Sequence, residues 1–252
     1  QRLGYDSYSQ FQRELRSELL VRLQTPQEKF HQRKSRLSSP EPNIFRLHCD
    51  QVIRNINEAN ERIEYGLLKK AAHLMASTPG KVYIMGHRSS FALASFFHFE
   101  LDYMRDGVVL CNNAGGVLSN AVSQISKKDV LFVFFKSRYS RLSEQVAHWF
   151  ARHGCDIILL TDRESNPLSQ IAKIQFVAPS EGIGIFDSRG ATFAVLETLV
   201  NLVSIELEDK LDDRFDKIES AINEFEIFSS WWKHQSAKQT NKRKKHMHGN
   251  HL

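Results

Sequence analysis

Short apolar runs alternate with amphipathic segments through the middle of the chain, and this alternation predicts the fold. Runs of four to six largely apolar residues predict five strands, at 82–85, 108–111, 130–135, 157–161 and 174–178. Apolar positions spaced three or four apart predict helices between them, at 90–104, 118–125, 141–153 and 167–173, and a long helix at 188–211. Strands that are apolar on both faces, with helices between them, indicate a parallel sheet covered on both sides. We therefore predict an α/β fold in which helices flank a five-stranded, parallel, doubly wound sheet with right-handed crossovers.

The segments on either side of this core divide the chain into four zones. Residues 1–23 have apolar positions at helical spacing and predict an amphipathic helix. Residues 24–43 contain three of the six prolines and predict a linker. Residues 44–230 begin with a long helix, hold the predicted sheet and end with a further helix, and residues 231–252 predict a basic, disordered tail.

Composition and charge narrow the functional classes. Of the 252 residues, 41% are hydrophobic and 25% charged, as in ordinary globular proteins. The longest apolar run is far shorter than the ~18 residues that span a bilayer, and the amino end lacks the order of a secretory signal. The net charge is +5, but a cluster of bases without acids lies beyond residue 232, so the remainder of the chain is nearly neutral and predicts no nucleic-acid-binding face.

Three widely spaced cysteines argue against a disulfide or zinc framework. We expect a cytoplasmic protein without a metal, a redox cofactor or a membrane partner.

Two loops carry the candidate chemistry. Ligands of open α/β sheets bind beyond the carboxyl ends of the strands where the strand order reverses, which in a flavodoxin-like order lies between the first and third strands. The loop after the first predicted strand contains Ser89 and Ser90, and the loop after the third contains Ser137 and Ser140. Both loops run into helices, whose amino ends favour anions, and Lys136, Arg138 and Arg141 add positive charge. The pattern predicts a binding site for an anionic metabolite, although serines at such positions also serve as helix caps.

These residues resemble a known family. Gly86-x-x-Ser89-Ser90, the loop from Ser137 to Ser140, and the stretches 151–154, 159–162 and 186–189 are similar to a SIS (sugar isomerase) domain over roughly residues 45–210. The segment 2–11 resembles the region after the recognition helix in RpiR-type bacterial transcriptional regulators, which join a helix-turn-helix domain to a sugar phosphate-sensing SIS domain.

The resemblance implies a function and a set of ligand-binding residues. It implies the effector-binding part of such a regulator, as a homodimer or homotetramer, with residues 1–23 as an amino-terminally truncated remnant of the helix-turn-helix domain. DNA would then be bound only through the part that is largely missing. The expected ligand-binding residues are Arg88, Ser89, Ser90, Ser137, Arg138, Tyr139, Ser140 and Glu181. The chain departs from the family where Arg88 replaces a loop glycine and where the second loop reads Ser-Arg-Tyr-Ser, so a different phosphosugar or another anion is expected.

Two alternatives remain open from the sequence. An aldose–ketose isomerase of the same superfamily needs a general base, for which Glu181 and His87 are candidates. A ligand-free dimerisation module would use the apolar faces of the helices around 52–67 and 196–211. Because no paired carboxylates lie near both loops, we expect a sensor and not an enzyme.

Overall fold

A computed structural model of the chain describes residues 25–37, 43–112 and 116–228. The predicted amino-terminal remnant up to residue 23 and the predicted tail from residue 231 lie outside these ranges. The chain divides into two compact units, residues 1–207 and residues 208–252.

Five parallel strands form one sheet within the described residues. They are β1 (Val82–Met85), β2 (Val108–Cys111), β3 (Val130–Phe135), β4 (Asp156–Thr161) and β5 (Ile174–Val177), in the order β2-β1-β3-β4-β5. Val82 pairs with Val108 on one side and with Val130 on the other. The strand order and the parallel pairing confirm the predicted doubly wound sheet.

Helices of the first unit cover both faces of this sheet. In chain order the helices are α1 (Pro26–Leu37), α2 (Ile44–Arg62), α3 (Tyr65–Ser77), α4 (Phe91–Met104), α5 (Leu118–Val122), α6 (Arg141–Arg152), α7 (Gly190–Glu206) and α8 (Glu208–Glu224), the last of which belongs to the second unit. On one face α4 packs on β1 and β2, and α7 packs on α2, α3 and α4. On the other face α5 and α6 cover the sheet, where Phe150 of α6 lies edge-on against Tyr83 of β1. Among the described residues no single helix is long and apolar enough to cross a membrane. The bent pair of α7 and α8 together has the length and composition of a membrane span, by these two criteria only.

Residues 24–43, expected to be a linker, contain the helix α1. Thr25 and Glu28 form a capping box: the Glu28 N–H donates to Thr25 Oγ1 at 3.2 Å, and the Thr25 N–H donates to Glu28 Oε2 at 2.6 Å. Pro26 takes the first helical position, where its missing N–H costs nothing. The predicted linker therefore contains a capped helix, and its linking role between domains stays a prediction.

Four predicted helices differ from the structure. The helix predicted at 118–125 is shorter and ends at Val122. The helix predicted at 167–173 is a series of turns, in which Asn166 Oδ1 accepts the Leu168 N–H at 2.9 Å and replaces a helical bond. The long helix through 52–67 is two helices, α2 and α3, because Ile63 adopts an extended conformation after its N–H has closed the last turn of α2. The helix predicted at 188–211 ends at Glu206, and no residue of the following α8 is buried.

The three cysteines are all free thiols. Cys111 at the end of β2 and Cys155 before β4 are buried, whereas Cys49 on α2 is partly exposed. Burial raises the pKa of Cys111 to about 12, and burial together with nearby carboxylates raises the pKa of Cys155 to about 11. Both buried thiols therefore stay protonated and pack as small apolar groups.

Candidate functional site

A cavity of about 230 Å³ opens at the carboxyl ends of β1 and β3. These strands are neighbours, and the strand order reverses between them, because β2 lies beyond β1 and β4 beyond β3. We call this space the loop cavity. Five segments line it, namely the end of β3 with the loop that leads into α6, the loop after β1, the residue after β4, the start of α1 and the segment before α7: Pro26, Lys29, His87, Arg88, Ser89, Ser90, Phe134, Phe135, Lys136, Ser137, Arg138, Ser140, Ser143, Asp162, Ile185, Phe186, Asp187 and Arg189.

The loop after β1 folds tightly onto the start of α4. Gly86 permits this approach, because a Cβ at this position would collide with the carbonyl oxygen of Ser90. Arg88 takes a positive φ of 55° in a 3-10 turn that leads into α4. Ser89 Oγ accepts a hydrogen bond from Arg189 Nη2 at 2.8 Å, which ties this loop to the segment before α7.

His87 connects the two loops. Its Nδ1 lies 2.7 Å from the Oγ of Ser143 in the first turn of α6. Burial lowers the pKa of His87, so the imidazole is neutral at physiological pH. The buried Nε2 has no hydrogen-bond partner within the described residues. A neutral imidazole with one uncommitted nitrogen at a cavity can bind a ligand hydroxyl or exchange a proton with it.

The loop after β3 is held in place by Asp162, which follows β4. The Ser137 N–H donates to the two carboxylate oxygens of Asp162 at 3.0 and 3.1 Å, and the Ser137 hydroxyl donates to the same carboxylate. Arg138 then takes a positive φ of 64°. Ser140 is the N-cap of α6, since its Oγ accepts the Ser143 N–H at 3.3 Å. Together with Ser89, three of the hydroxyls that we expected to hold a phosphate therefore have partners within the protein.

Lys136 lies on the buried side of the loop cavity. Its side chain is almost inaccessible to solvent, and its Nζ donates to the carbonyl oxygen of Ala178 at 3.1 Å. Burial lowers the pKa of Lys136 to about 8; Asp162 and Asp187 oppose this change, whereas Arg189 adds to it. No salt bridge joins Lys136 to a carboxylate among the described residues, and a buried ammonium group in this state favours an anion beside it.

The start of α1 and the segment before α7 close a third side of the cavity. Lys29 Nζ lies 2.5 Å from Asp187 Oδ2. Arg33 Nη1 donates to the carbonyl oxygen of Gly184 at 2.8 Å and lies 3.4 Å from Asp187 Oδ1. These side chains are less than one-fifth exposed, so α1 is attached to the cavity wall by partly buried ion pairs.

The structure brings most of the predicted ligand-binding residues together. Six of the eight line the loop cavity: Arg88, Ser89, Ser90, Ser137, Arg138 and Ser140. The other two, Tyr139 and Glu181, lie outside the lining. The Tyr139 ring stacks on Phe135 with a centroid distance of 4.4 Å and packs against the core. Glu181 is exposed, and its carbonyl oxygen accepts a hydrogen bond from Asn55 Nδ2 at 2.8 Å.

Several lining residues were not predicted as ligand-binding residues. Lys29 lies on α1, which the capping box could have revealed. Asp162 and Asp187 lie in stretches that resemble a SIS domain, but their place in the cavity wall depends on the tertiary fold. Within the described ranges, no group of three or more His, Cys, Asp or Glu side chains is arranged to hold a metal ion.

Comparison with known proteins identifies the family. Residues 75–202, just over half of the chain, match the SIS domain, so the protein belongs to the SIS domain family. No curated protein has a significantly similar sequence.

Solved structures with this fold include regulators and enzymes. The sugar isomerase domain of the RpiR transcription factor from Sphaerobacter thermophilus has a TM-score of 0.65 and 18% identity, over 69% of this chain and 97% of that chain. The NanR protein of Vibrio vulnificus, complexed with ManNAc-6P, has a TM-score of 0.63 and 15% identity, over 88% of this chain and 77% of that one. The phosphoheptose isomerase GmhA from Neisseria gonorrhoeae has a TM-score of 0.53 and 20% identity, over 63% of this chain and 97% of that chain. At these identities the likeness establishes the fold and not the activity.

Proposed function

We propose that this chain is the effector-binding part of an RpiR-type bacterial transcriptional regulator and binds a sugar phosphate in the loop cavity. The observation that carries the proposal is the buried, weakly paired ammonium group of Lys136 between two loops that lead into helices at the reversal of the strand order. The likeness to RpiR and NanR proteins, one of them solved with a sugar phosphate, supports it.

The contacts of the loops suggest how the phosphate would be held. Lys136 and Arg189 supply positive charge, and the loop N–H groups before α4 and α6 supply donors at the positive ends of the helices. Ser137 and Ser140 keep the loops in shape through Asp162 and the cap of α6, so their hydroxyls are supports rather than primary ligands. The volume of about 230 Å³ favours a small phosphosugar over a dinucleotide.

Effector binding has a regulatory consequence only if the two functional states bind the effector differently. The attachment of α1 to the cavity wall offers a physical route, because an anion in the cavity competes with Asp187 for Lys29. Assembly as a homodimer or homotetramer, and DNA binding through a domain upstream of this segment, belong to the same proposal.

The test is ligand-dependent stability. Purified protein in a buffer without phosphate or sulfate is heated with a panel of pentose, hexose and heptose phosphates. A ligand at 100 times its Kd stabilises the folded state by about 2.7 kcal/mol. Lys136→Met should lose the response, whereas Lys173→Met, which removes an exposed lysine paired with Asp156, should keep it. If no phosphosugar raises the Tm of the wild-type protein, the proposal is wrong.

An aldose–ketose isomerase is the second candidate function. The observation that favours it is the neutral His87, whose buried Nε2 is uncommitted at the cavity. In contrast, Glu181, the other candidate base, lies outside the lining. Any phosphosugar that binds should therefore be followed by NMR for aldose–ketose conversion, with His87→Asn as the control. Turnover that this substitution abolishes would favour the enzyme over the sensor.

A further inference from the structure

Positive charge exceeds negative charge in the loop cavity. Five cationic side chains line it, against two carboxylates: Lys29, Arg88, Lys136, Arg138 and Arg189, against Asp162 and Asp187. Both carboxylates are occupied, Asp162 by the Ser137 hydroxyl and amide and Asp187 by Lys29 and Arg33. A bound phosphate monoester carries a charge of roughly −1.5 to −2 at pH 7, so it leaves at least one cation without a counterion.

The two loop arginines have an unusual backbone conformation. Arg88 and Arg138 have φ values of 55° and 64°, and within the described residues the only other non-glycine residue with positive φ is Glu226. Each arginine is the third residue after the end of its strand, Arg88 after β1 and Arg138 after β3. Glycine adopts this conformation without strain, whereas a long side chain does so at a cost. Two strained arginines at equivalent places around one cavity indicate that their side chains are used.

The cations also differ in burial. Lys136 is buried, whereas the side chains of Arg88 and Arg138 are exposed and take part in no hydrogen bond or ion pair with another described residue. The cavity therefore has a buried cationic part and an exposed cationic part. A phosphate held by the buried Lys136 leaves the exposed arginines available for a second anion.

We propose that the ligand is a phosphosugar with a second anionic group, a phosphate or a carboxylate, which Arg88 and Arg138 bind. This inference rests on the proposed function and adds the ligand class and the residues that select it. Lys136 and Arg189 bind the first phosphate, and the two loop arginines bind the second anion with charge-assisted, two-pronged hydrogen bonds.

The experiment compares ligands that differ in the second anion, at constant ionic strength, by isothermal titration calorimetry. The matched pairs are ribulose 5-phosphate with ribulose 1,5-bisphosphate, fructose 6-phosphate with fructose 1,6-bisphosphate, and glucose 6-phosphate with 6-phosphogluconate. In at least one pair the ligand with two anions should bind about tenfold tighter or more, the size of one charge-assisted hydrogen bond. Tighter binding of a bisphosphate would identify the second anion as a phosphate, and tighter binding of 6-phosphogluconate would identify it as a carboxylate.

Substitution of the arginines separates their side-chain function from a role in folding. Arg88→Gly with Arg138→Gly should bring the two members of the preferred pair to nearly equal affinity, without lowering the Tm, because glycine relieves the backbone strain. Arg152→Gln, which removes an exposed arginine at the far end of α6, should leave the preference unchanged. Arg88→Lys with Arg138→Lys should keep part of the preference for the ligand with two anionic groups.

Two outcomes overturn the inference in different ways. If both members of every pair bind equally well to the wild-type protein, the second anion site does not exist, while the proposed function stands. If no ligand of either kind binds, the proposed function and the inference fail together.

Discussion

Replacement of Lys136 by methionine tests the physical basis of the site without any ligand. A fall in the pKa of Lys136 from 10.5 to about 8 corresponds to about 3 kcal/mol of unfavourable free energy for its charged form in the folded protein at pH 7. Methionine has a similar length and no charge, so Lys136→Met removes this cost. It also removes the hydrogen bond to the carbonyl oxygen of Ala178, which contributes about 1 kcal/mol. The expected net gain is about 2 kcal/mol, or about 4–8 °C in Tm for a domain of this size.

The sign of the pH dependence follows from the lowered pKa. Between pH 8 and pH 10.5 the unfolded chain keeps the proton on Lys136 and the folded chain releases it, so wild-type stability rises with pH over this interval. Below pH 8 Lys136 is charged in both states, so the full unfavourable free energy of its burial lowers the stability of the wild-type protein. The variant lacks this group, and its advantage should therefore be largest near pH 7 and gone near pH 10.5.

Urea denaturation of both proteins from pH 7 to pH 10.5, in a buffer without polyvalent anions, measures this difference. Anions must be absent because a bound anion would raise the pKa of Lys136 and mask the cost. A variant that is no more stable than wild type at pH 7, with a difference that stays constant to pH 10.5, would refute the reasoning. It would mean that the cavity solvates the ammonium group well, so that burial does not destabilise its charged form and does not favour a bound anion.

Three further predictions concern the supports of the site. Ser140→Ala removes the N-cap of α6 and should lower the free energy of unfolding by about 1 kcal/mol in urea denaturation. Ser140→Asp, which can also cap the helix, should keep most of the stability that the N-cap contributes. Gly86→Ala places a methyl group against the carbonyl oxygen of Ser90, so it should lower the Tm and abolish any phosphosugar response; an unchanged Tm would contradict the close approach. Asp187→Asn weakens the ion pairs that hold α1, and trypsin should then cleave within α1 faster than in the wild-type protein while the sheet domain stays intact.

The sheet could be predicted from the sequence because its strands are nearly fully buried. The bounds of β1, β2 and β3 coincide with their apolar runs. A parallel strand that is covered on both faces is apolar along its whole length, so the run of apolar residues begins and ends with the strand. Helix ends were less well predicted. The apolar spacing continues from α7 past Leu207, yet no residue of α8 is buried, because burial depends on tertiary packing that periodicity does not contain.

The site could be predicted where it depends on strand order and local loops, and not where it depends on distant contacts. The loops with Ser89 and Ser137 meet at one cavity because the carboxyl ends of adjacent parallel strands must lie together. The partners of their hydroxyls, Arg189 and Asp162, come from other loops, so the sequence could not show that these hydroxyls were engaged. The helix α1 was not predicted for a different reason: three prolines in residues 24–43 favour a linker, but Pro26 occupies the first helical position, where proline is favoured.

The distribution of the three thiols has a practical consequence. Maleimide reagents attack thiolates, and the raised pKa values and burial of Cys111 and Cys155 protect both from this reaction. Cys49, which is partly exposed on α2, is then the preferred attachment point for a fluorescent dye in the unmodified protein. A single reporter on a helix that packs against α7 could follow metabolite titrations by fluorescence without any engineered cysteine.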